Sequence, residues 1–136
     1  EDLIAAAALV RSQPGSNGRL GVVGFCYGGS ISNILATRLP ELRAAVPFYG
    51  GAPALENVPA IRAELLLHFA ATDERINAAW PDYEQALKKA GVKYTAYSYP
   101  GTQHGFNNDT TPRYDEAAAT LAWQRTLEFF GRTLRG

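Results

Sequence analysis

With 136 residues, of which 46% are apolar and 19% charged, the chain is long enough for one compact domain with a real core and too short for two. Its 13 lysines and arginines balance 13 aspartates and glutamates, which removes the electrostatic footprint of a nucleic-acid binder or an anionic-membrane binder. One cysteine excludes an internal disulfide, and two histidines argue against a multi-histidine metal site.

No apolar run reaches the length of a membrane-spanning helix, and the first residues carry no signal-peptide pattern, so the expected location is the cytoplasm. The absence of methionine and the start at Glu1 suggest a piece of a longer reading frame.

In chain order, residues 2 to 12 are alanine-rich and predict a helix, closed by the loop from Gln13 to Gly18. The apolar run Leu20 to Phe25 predicts a strand buried on both faces. Gly28 and Gly29 open a segment with helical spacing at Ile31, Ile34, Leu35 and Leu39, stopped by Pro40. Ala44 to Tyr49 predicts a second buried strand, and residues 52 to 62 are irregular, with Pro53 and Pro59. Leu65 to Ala70 predicts a third strand, and residues 78 to 90 an amphipathic helix with Gly91 as its cap. Val92 to Tyr99 predicts a fourth strand, ended by Pro100-Gly101. Tyr114 to Leu134 predicts a long last helix, with Ala118, Leu121, Ala122, Leu127 and Phe130 as its buried stripe.

Alternating strands and helices, with uniformly apolar strands, predict an α/β protein with a parallel sheet of about four strands flanked by helices. Ligands bind such sheets at the carboxyl ends of the strands, so the loops after each strand are where chemistry belongs.

Three such loops hold reactive groups. The first, Gly24-Phe25-Cys26-Tyr27-Gly28-Gly29, has the glycine-x-nucleophile-x-glycine form of a nucleophile elbow, with cysteine in the nucleophile position. The glycines allow a sharp turn where side chains would strike the neighbouring strand and helix. Such a turn places Cys26 at a helix amino terminus, where dipole and free N–H groups favour a thiolate, and makes the N–H of Tyr27 an oxyanion donor. Asp73 follows the third strand and His104 the fourth. The order nucleophile, acid, histidine is that of α/β-hydrolases. In these roles His104 moves the proton of Cys26, while Asp73 orients the imidazole and stabilises its cationic form.

Taken singly, a lone cysteine is more often a small buried hydrophobe, an aspartate after a strand a helix cap, and a histidine a partner for a loop carbonyl. Glu74 also competes with Asp73 for the orienting role. The three types in the right order, each after a predicted strand, favour the triad. His68, inside the leucine-rich third strand, is expected to be a hydrogen-bonded core histidine. Tyr27, Tyr49, Trp80 and Phe106 are candidates for lining an apolar substrate pocket, and plain packing suits Tyr49 and Trp80 equally well.

On Gly24 to Gly29, Phe48-Tyr49-Gly50, Thr72 to Ile76 and Gly101 to Phe106, the sequence resembles the dienelactone hydrolase (carboxymethylenebutenolidase) family. The resemblance runs across most of the chain, and the cysteine in the elbow makes it specific. It implies the carboxy-terminal half of an α/β-hydrolase, a single truncated domain over residues 1 to 136. It further implies no cofactor, and hydrolysis of small esters or lactones through an acyl-cysteine intermediate on Cys26, Asp73 and His104. In that family the amino-terminal half supplies the second oxyanion donor, an acidic residue that regulates the cysteine, and an arginine for the substrate carboxylate. Asn107-Asn108 also stand where dienelactone hydrolases proper have an arginine nearby, and Arg113 is a weak substitute by position. A broad short-chain esterase fits better than a strict dienelactone hydrolase.

Without the preceding strands, the cysteine-bearing strand becomes an open sheet edge, and the expectation is a homo-oligomer that covers it. The rival readings are a folded but weak or inactive hydrolase fragment, acting only in binding or oligomerisation, and a thiol redox module. The second lacks both a C-x-x-C motif and a resolving cysteine.

Overall fold

The structure is a computed structural model that describes residues 1–135. It holds one four-stranded parallel sheet in the order β1-β2-β3-β4, with β1 Leu20–Phe25, β2 Leu42–Phe48, β3 Glu64–Thr72 and β4 Tyr94–Gln103. The sequential order follows from helical crossovers: α1 Asp2–Ser12 precedes β1, α2 Tyr27–Arg38 joins β1 to β2, and α3 Glu74–Ala90 joins β3 to β4. A 3₁₀ turn, Leu55–Ala60, lies between β2 and β3, and α4 Glu116–Phe130 ends in a π-helical turn, Gly131–Arg135.

The inner strands β2 and β3 are buried along most of their length, and their alternate residues serve two cores. By contrast β1, expected to be buried on both faces, is only half-buried, because it and β4 are the sheet edges. Leu65, Leu67 and Phe69 of β3 meet α2 and α3 through Leu35, Leu39, Ile76, Tyr83 and Leu87. Leu66 and Ala70 face the opposite side, where Phe48, Tyr99, Phe106, Ala122 and Phe129 pack. Helices therefore cover both faces, as the alternation of apolar runs predicts.

Four details depart from expectation. The 3₁₀ turn orders part of the segment expected to be irregular. Helix α3 begins at Glu74 rather than at residue 78, so Pro81 lies inside it instead of in its first turn. Strand β4 continues past Pro100-Gly101 to Gln103, because Gly101 adopts φ +75° and absorbs a register shift opposite Ala70 and Thr72. The buried stripe of α4 is Ala119, Ala122, Thr126 and Phe129, whereas Leu121 and Leu127 face out. The stripe was assigned from the largest apolar residues, but the sheet face opposite is filled by bulky Phe48, His68 and Tyr99, which leaves room for small residues and one hydroxyl.

Strand β1 is an edge, half-buried along most of its length. No residue of α1 is buried, and Leu3, Leu9 and Val10 are exposed. No helix among the described residues is long and apolar enough to cross a membrane.

Candidate active site

The carboxyl ends of β1, β3 and β4 carry Cys26, Asp73 and His104 into one region. Cys26 adopts φ 57° and ψ −119°, outside the regions an L-residue favours, and caps α2 without a side-chain cap bond. Strain of this kind costs about 1–3 kcal/mol and persists only where surrounding structure enforces it. Here Cys26 N–H donates to Phe48 O at 3.1 Å, and Ser30 N–H donates to Cys26 O at 3.1 Å. A Cβ at Gly24 would lie 2.0 Å from Gly28 O, and one at Gly29 would lie 2.6 Å from Phe48 O. Gly28 is different: a Cβ there meets nothing within 4 Å, so close approach does not explain the second glycine of the elbow motif. The third, Gly29, is the one that lets the helix lie against β2.

Asp73 is the amino-terminal cap residue of α3, yet its side chain makes no cap hydrogen bond. Its Oδ2 accepts instead from His104 Nδ1 at 2.5 Å, with the Asp73 side chain 10% exposed and that of His104 35% exposed. Glu74, the rival orienter, makes no such bond among the described residues. Two part-buried ties hold the carrying loops together. Ala71 N–H donates to Thr102 Oγ1 at 3.2 Å while Thr102 Oγ1 donates to Tyr99 O at 2.6 Å, and Asn77 Nδ2 donates to Ala70 O at 2.9 Å.

The Cys26 residue is exposed and forms no hydrogen bond with His104 among the described residues. Enclosure of the sulfur by its neighbours pushes the thiol above its ordinary value of 9.0, Arg113 pulls it down, and Asp73 adds to the rise. Burial thus works against the thiolate that the helix terminus favours, and Arg113 works for it. The water stripped from the sulfur outweighs the attraction of one guanidinium.

A cleft of about 290 Å³ beside the sulfur is lined by Phe25, Cys26, Tyr49, Asn107 and Asn108. Tyr49 lines it, with a strained φ of 37°, a ring 4.9 Å from that of His104, and a hydroxyl pushed up to about 12 mainly by burial. Phe106 does not line it: fully buried, it packs on Phe48, Tyr49 and Tyr99 and supports Tyr49 from behind. Trp80 lies away from the cleft, on the α3 face, against Phe69, Tyr83 and Tyr94. Its place in the amphipathic helix α3, which packs on the sheet face opposite Phe106, decides that. Tyr27 opens α2, where an N–H has no intrahelical acceptor, and its side chain is 79% exposed.

Sequence reasoning undervalued Arg113. Its guanidinium lies so that a Cβ on Gly105, at φ +89°, would be 3.6 Å from Nε, and its charge reaches Cys26 and Tyr49. The only sequence signal was its place in the loop after His104. Among the described residues no group of three or more histidine, cysteine or acidic side chains is arranged to hold a metal ion.

A positive-φ cysteine at the tip of a parallel strand, with an Asp–His hydrogen bond at the ends of the strands beyond, is a hydrolase arrangement. Residues 1–134 match the profile of the Dienelactone hydrolase family. The chain belongs to the dienelactone hydrolase family. It is 34% identical over 142 residues to the Salmonella typhi protein "Putative carboxymethylenebutenolidase", a match that covers 96% of this chain and 53% of that one. A protein of the same name from Saccharolobus solfataricus is 37% identical over 111 residues, covering 81% of this chain and 43% of the relative. The chain thus spans about half the length of the curated relatives it matches. A Klebsiella pneumoniae crystal structure titled as a "Putative Dienelactone Hydrolase" superposes with a TM-score of 0.86 at 30% identity, over 96% of this chain and 59% of that one. The fold of this dienelactone hydrolase family member is accordingly the α/β-hydrolase fold.

Proposed function

We propose that the chain is a single, truncated hydrolase domain that cleaves small esters or lactones through an acyl-enzyme on Cys26. The observation that carries this reading is the Asp73–His104 hydrogen bond, formed at the strand ends that also present Cys26 on a strained elbow. The names of the relatives point to the same substrate class.

In this scheme His104 Nε2 accepts the Cys26 proton as Sγ attacks the ester carbonyl carbon. Asp73 holds the other ring nitrogen and stabilises the imidazolium. The Tyr27 N–H donates to the developing oxyanion. Collapse of the tetrahedral intermediate breaks the C–O bond, and the imidazolium returns its proton to the leaving alcohol. Water, deprotonated by His104, then attacks the thioester, releases the acid and restores the thiol. Arg113 supplies a cation that favours the thiolate once it forms. No cofactor takes part. A solvent-reachable free thiol suits a reducing compartment, which supports a cytoplasmic location.

The exposed β1 edge and the apolar side chains Leu3, Leu9 and Phe25 are, on this reading, covered by a second copy of the chain. Light scattering at micromolar concentration returns a dimer or larger assembly if so, and a monodisperse monomer removes the idea.

The second reading, a folded fragment with weak or no turnover, is favoured by the absence of a Cys26–His104 hydrogen bond among the described residues. Hydrolysis of p-nitrophenyl acetate and butyrate by the chain, beside Cys26→Ala and His104→Ala, separates the two. Turnover that both variants lose supports the triad, and a wild type no faster than its variants supports the inactive fragment.

A further inference from the structure

At the opposite end of the sheet from Cys26 lies a larger cleft, of about 550 Å³, which the hydrolytic scheme does not use. It opens at the amino ends of β2, β3 and β4, where Arg43, Arg62, Lys93 and Arg132 surround a single carboxylate, Glu64. We propose that this cleft is an anion site that takes a small phosphate-bearing ligand with two or more negative charges.

The site already shows how its cations hold an oxyanion. Arg132 grips Glu64 with both ends of its fork, Nη2 to Oε2 at 2.7 Å and Nη1 to Oε1 at 3.1 Å, and Lys93 Nζ stands 3.7 Å from Oε1. That carboxylate compensates one charge of the four. Arg43 forms no hydrogen bond or ion pair among the described residues, although it lines the same cleft. Arg62 Nη1 donates to Pro59 O at 3.1 Å, which steadies the arm without neutralising it. The Lys93 side chain is 75% exposed, and most of its donors face water.

A neutral chain therefore concentrates an excess of three positive charges in one concavity, where their potentials add and counter-ions collect. Two arginine forks and an ammonium approaching from different segments suit a tetrahedral oxyanion, which accepts from several directions at once. The cleft is of a size that holds a small organic phosphate. Its distance from the strand carboxyl ends makes it independent of the ester-cleaving site.

The test is a titration of the whole chain at low ionic strength with inorganic pyrophosphate, inorganic phosphate and succinate, followed by calorimetry and backbone amide shifts. Saturable pyrophosphate binding is expected, with phosphate weaker and succinate weakest, and shifts gathered at residues 43, 62, 91–93 and 132. The double variant Arg43→Ala with Arg62→Ala should bind pyrophosphate about ten-fold or more weakly, and the corresponding double lysine variant should recover part of the loss. Equal affinity in wild type and the double alanine variant overturns the site, provided both give the same dispersed spectrum. So does a lack of saturation, or a shift map centred on Cys26. Succinate binding as tightly as pyrophosphate overturns the phosphate assignment. Because the readout is binding, the result does not depend on whether the chain hydrolyses esters.

Discussion

The chain holds two histidines, one inside β3 and one just past the end of β4, and their surroundings differ sharply. His104 lies past the end of β4, part-exposed, with one ring nitrogen on a carboxylate and the other without a partner among the described residues. His68 lies in the middle of β3, fully buried, with both nitrogens on hydroxyls: Nε2 at 2.9 Å from Thr126 Oγ1 and Nδ1 at 2.8 Å from Tyr99 OH. Thr126 Oγ1 donates its only hydrogen to Ala122 O at 2.8 Å, so toward His68 it accepts, and Nε2 carries the proton. Nδ1 is then the acceptor of the Tyr99 hydroxyl, which in turn accepts from Arg125 Nη1 at 3.2 Å. Each member of the chain Arg125–Tyr99–His68–Thr126–Ala122 is satisfied only while His68 is neutral, and burial lowers its pKa to about 3. One histidine is locked to join α4 to β3 and β4. The other keeps one ring nitrogen without a partner among the described residues. A carboxylate neighbour and an open nitrogen make the difference, rather than the residue type.

The sharpest way to break this contrast is His104→Ala. Ester hydrolysis should fall about 100- to 10,000-fold while the chain still melts cooperatively as a folded protein, because the His104 side chain is 35% exposed and lies outside both cores. Measured turnover and a melting curve on the same sample check both halves. If His68→Leu instead abolishes turnover in a protein of unchanged stability, the assignment of roles is reversed.

The expected effect of His68→Leu is on folding, a loss of about 2–4 kcal/mol in urea unfolding, since the Tyr99 and Thr126 hydroxyls lose their buried partner. Acid sharpens the comparison further. The folded pKa of His68, about 3, lies below its ordinary 6.5, so the unfolded chain binds the extra proton. The stability that this group contributes is complete above pH 6.5 and declines by ~1.4 kcal/mol per pH unit as pH falls toward 3. Unfolding titrations at several pH values should show this slope in wild type and lack it in His68→Leu. The smallest effect is that of Thr126→Val, about 1 kcal/mol, which removes the acceptor of Nε2–H while keeping the shape of the side chain. A Thr126→Val protein as stable as wild type would mean that the buried chain contributes little beyond packing.

Much of this site was legible in advance because its signals are local. The elbow glycines, the reactive residue after each strand and the apolar runs each lie within a few neighbouring positions, and all three triad candidates come to one end of the sheet. His68 was legible too, as a polar residue inside an apolar strand. Its partners were not: Thr126 is 58 positions away, and in a helix read by its largest apolar residues a threonine looks like a surface position. Phe106 and Trp80 were assigned to the pocket as aromatics near the chemistry. Which way each points depends on the crossover that carries it, and one supports the cleft from behind while the other packs on the far face.

By itself the sequence determined the order of strands and helices, the parallel sheet and the elbow geometry at Cys26. These follow from hydrophobic period, glycine placement and chain direction, all short-range properties of a polypeptide. Only the tertiary structure decided that the Asp73 side chain leaves its helix uncapped to bind His104, that burial and the Arg113 charge act in opposite directions on Cys26, and that four cations from distant segments share one cleft with Glu64. The physical reason is that charge, desolvation and side-chain hydrogen bonds act through space, and the distances that set them exist only once the crossovers have closed the sheet.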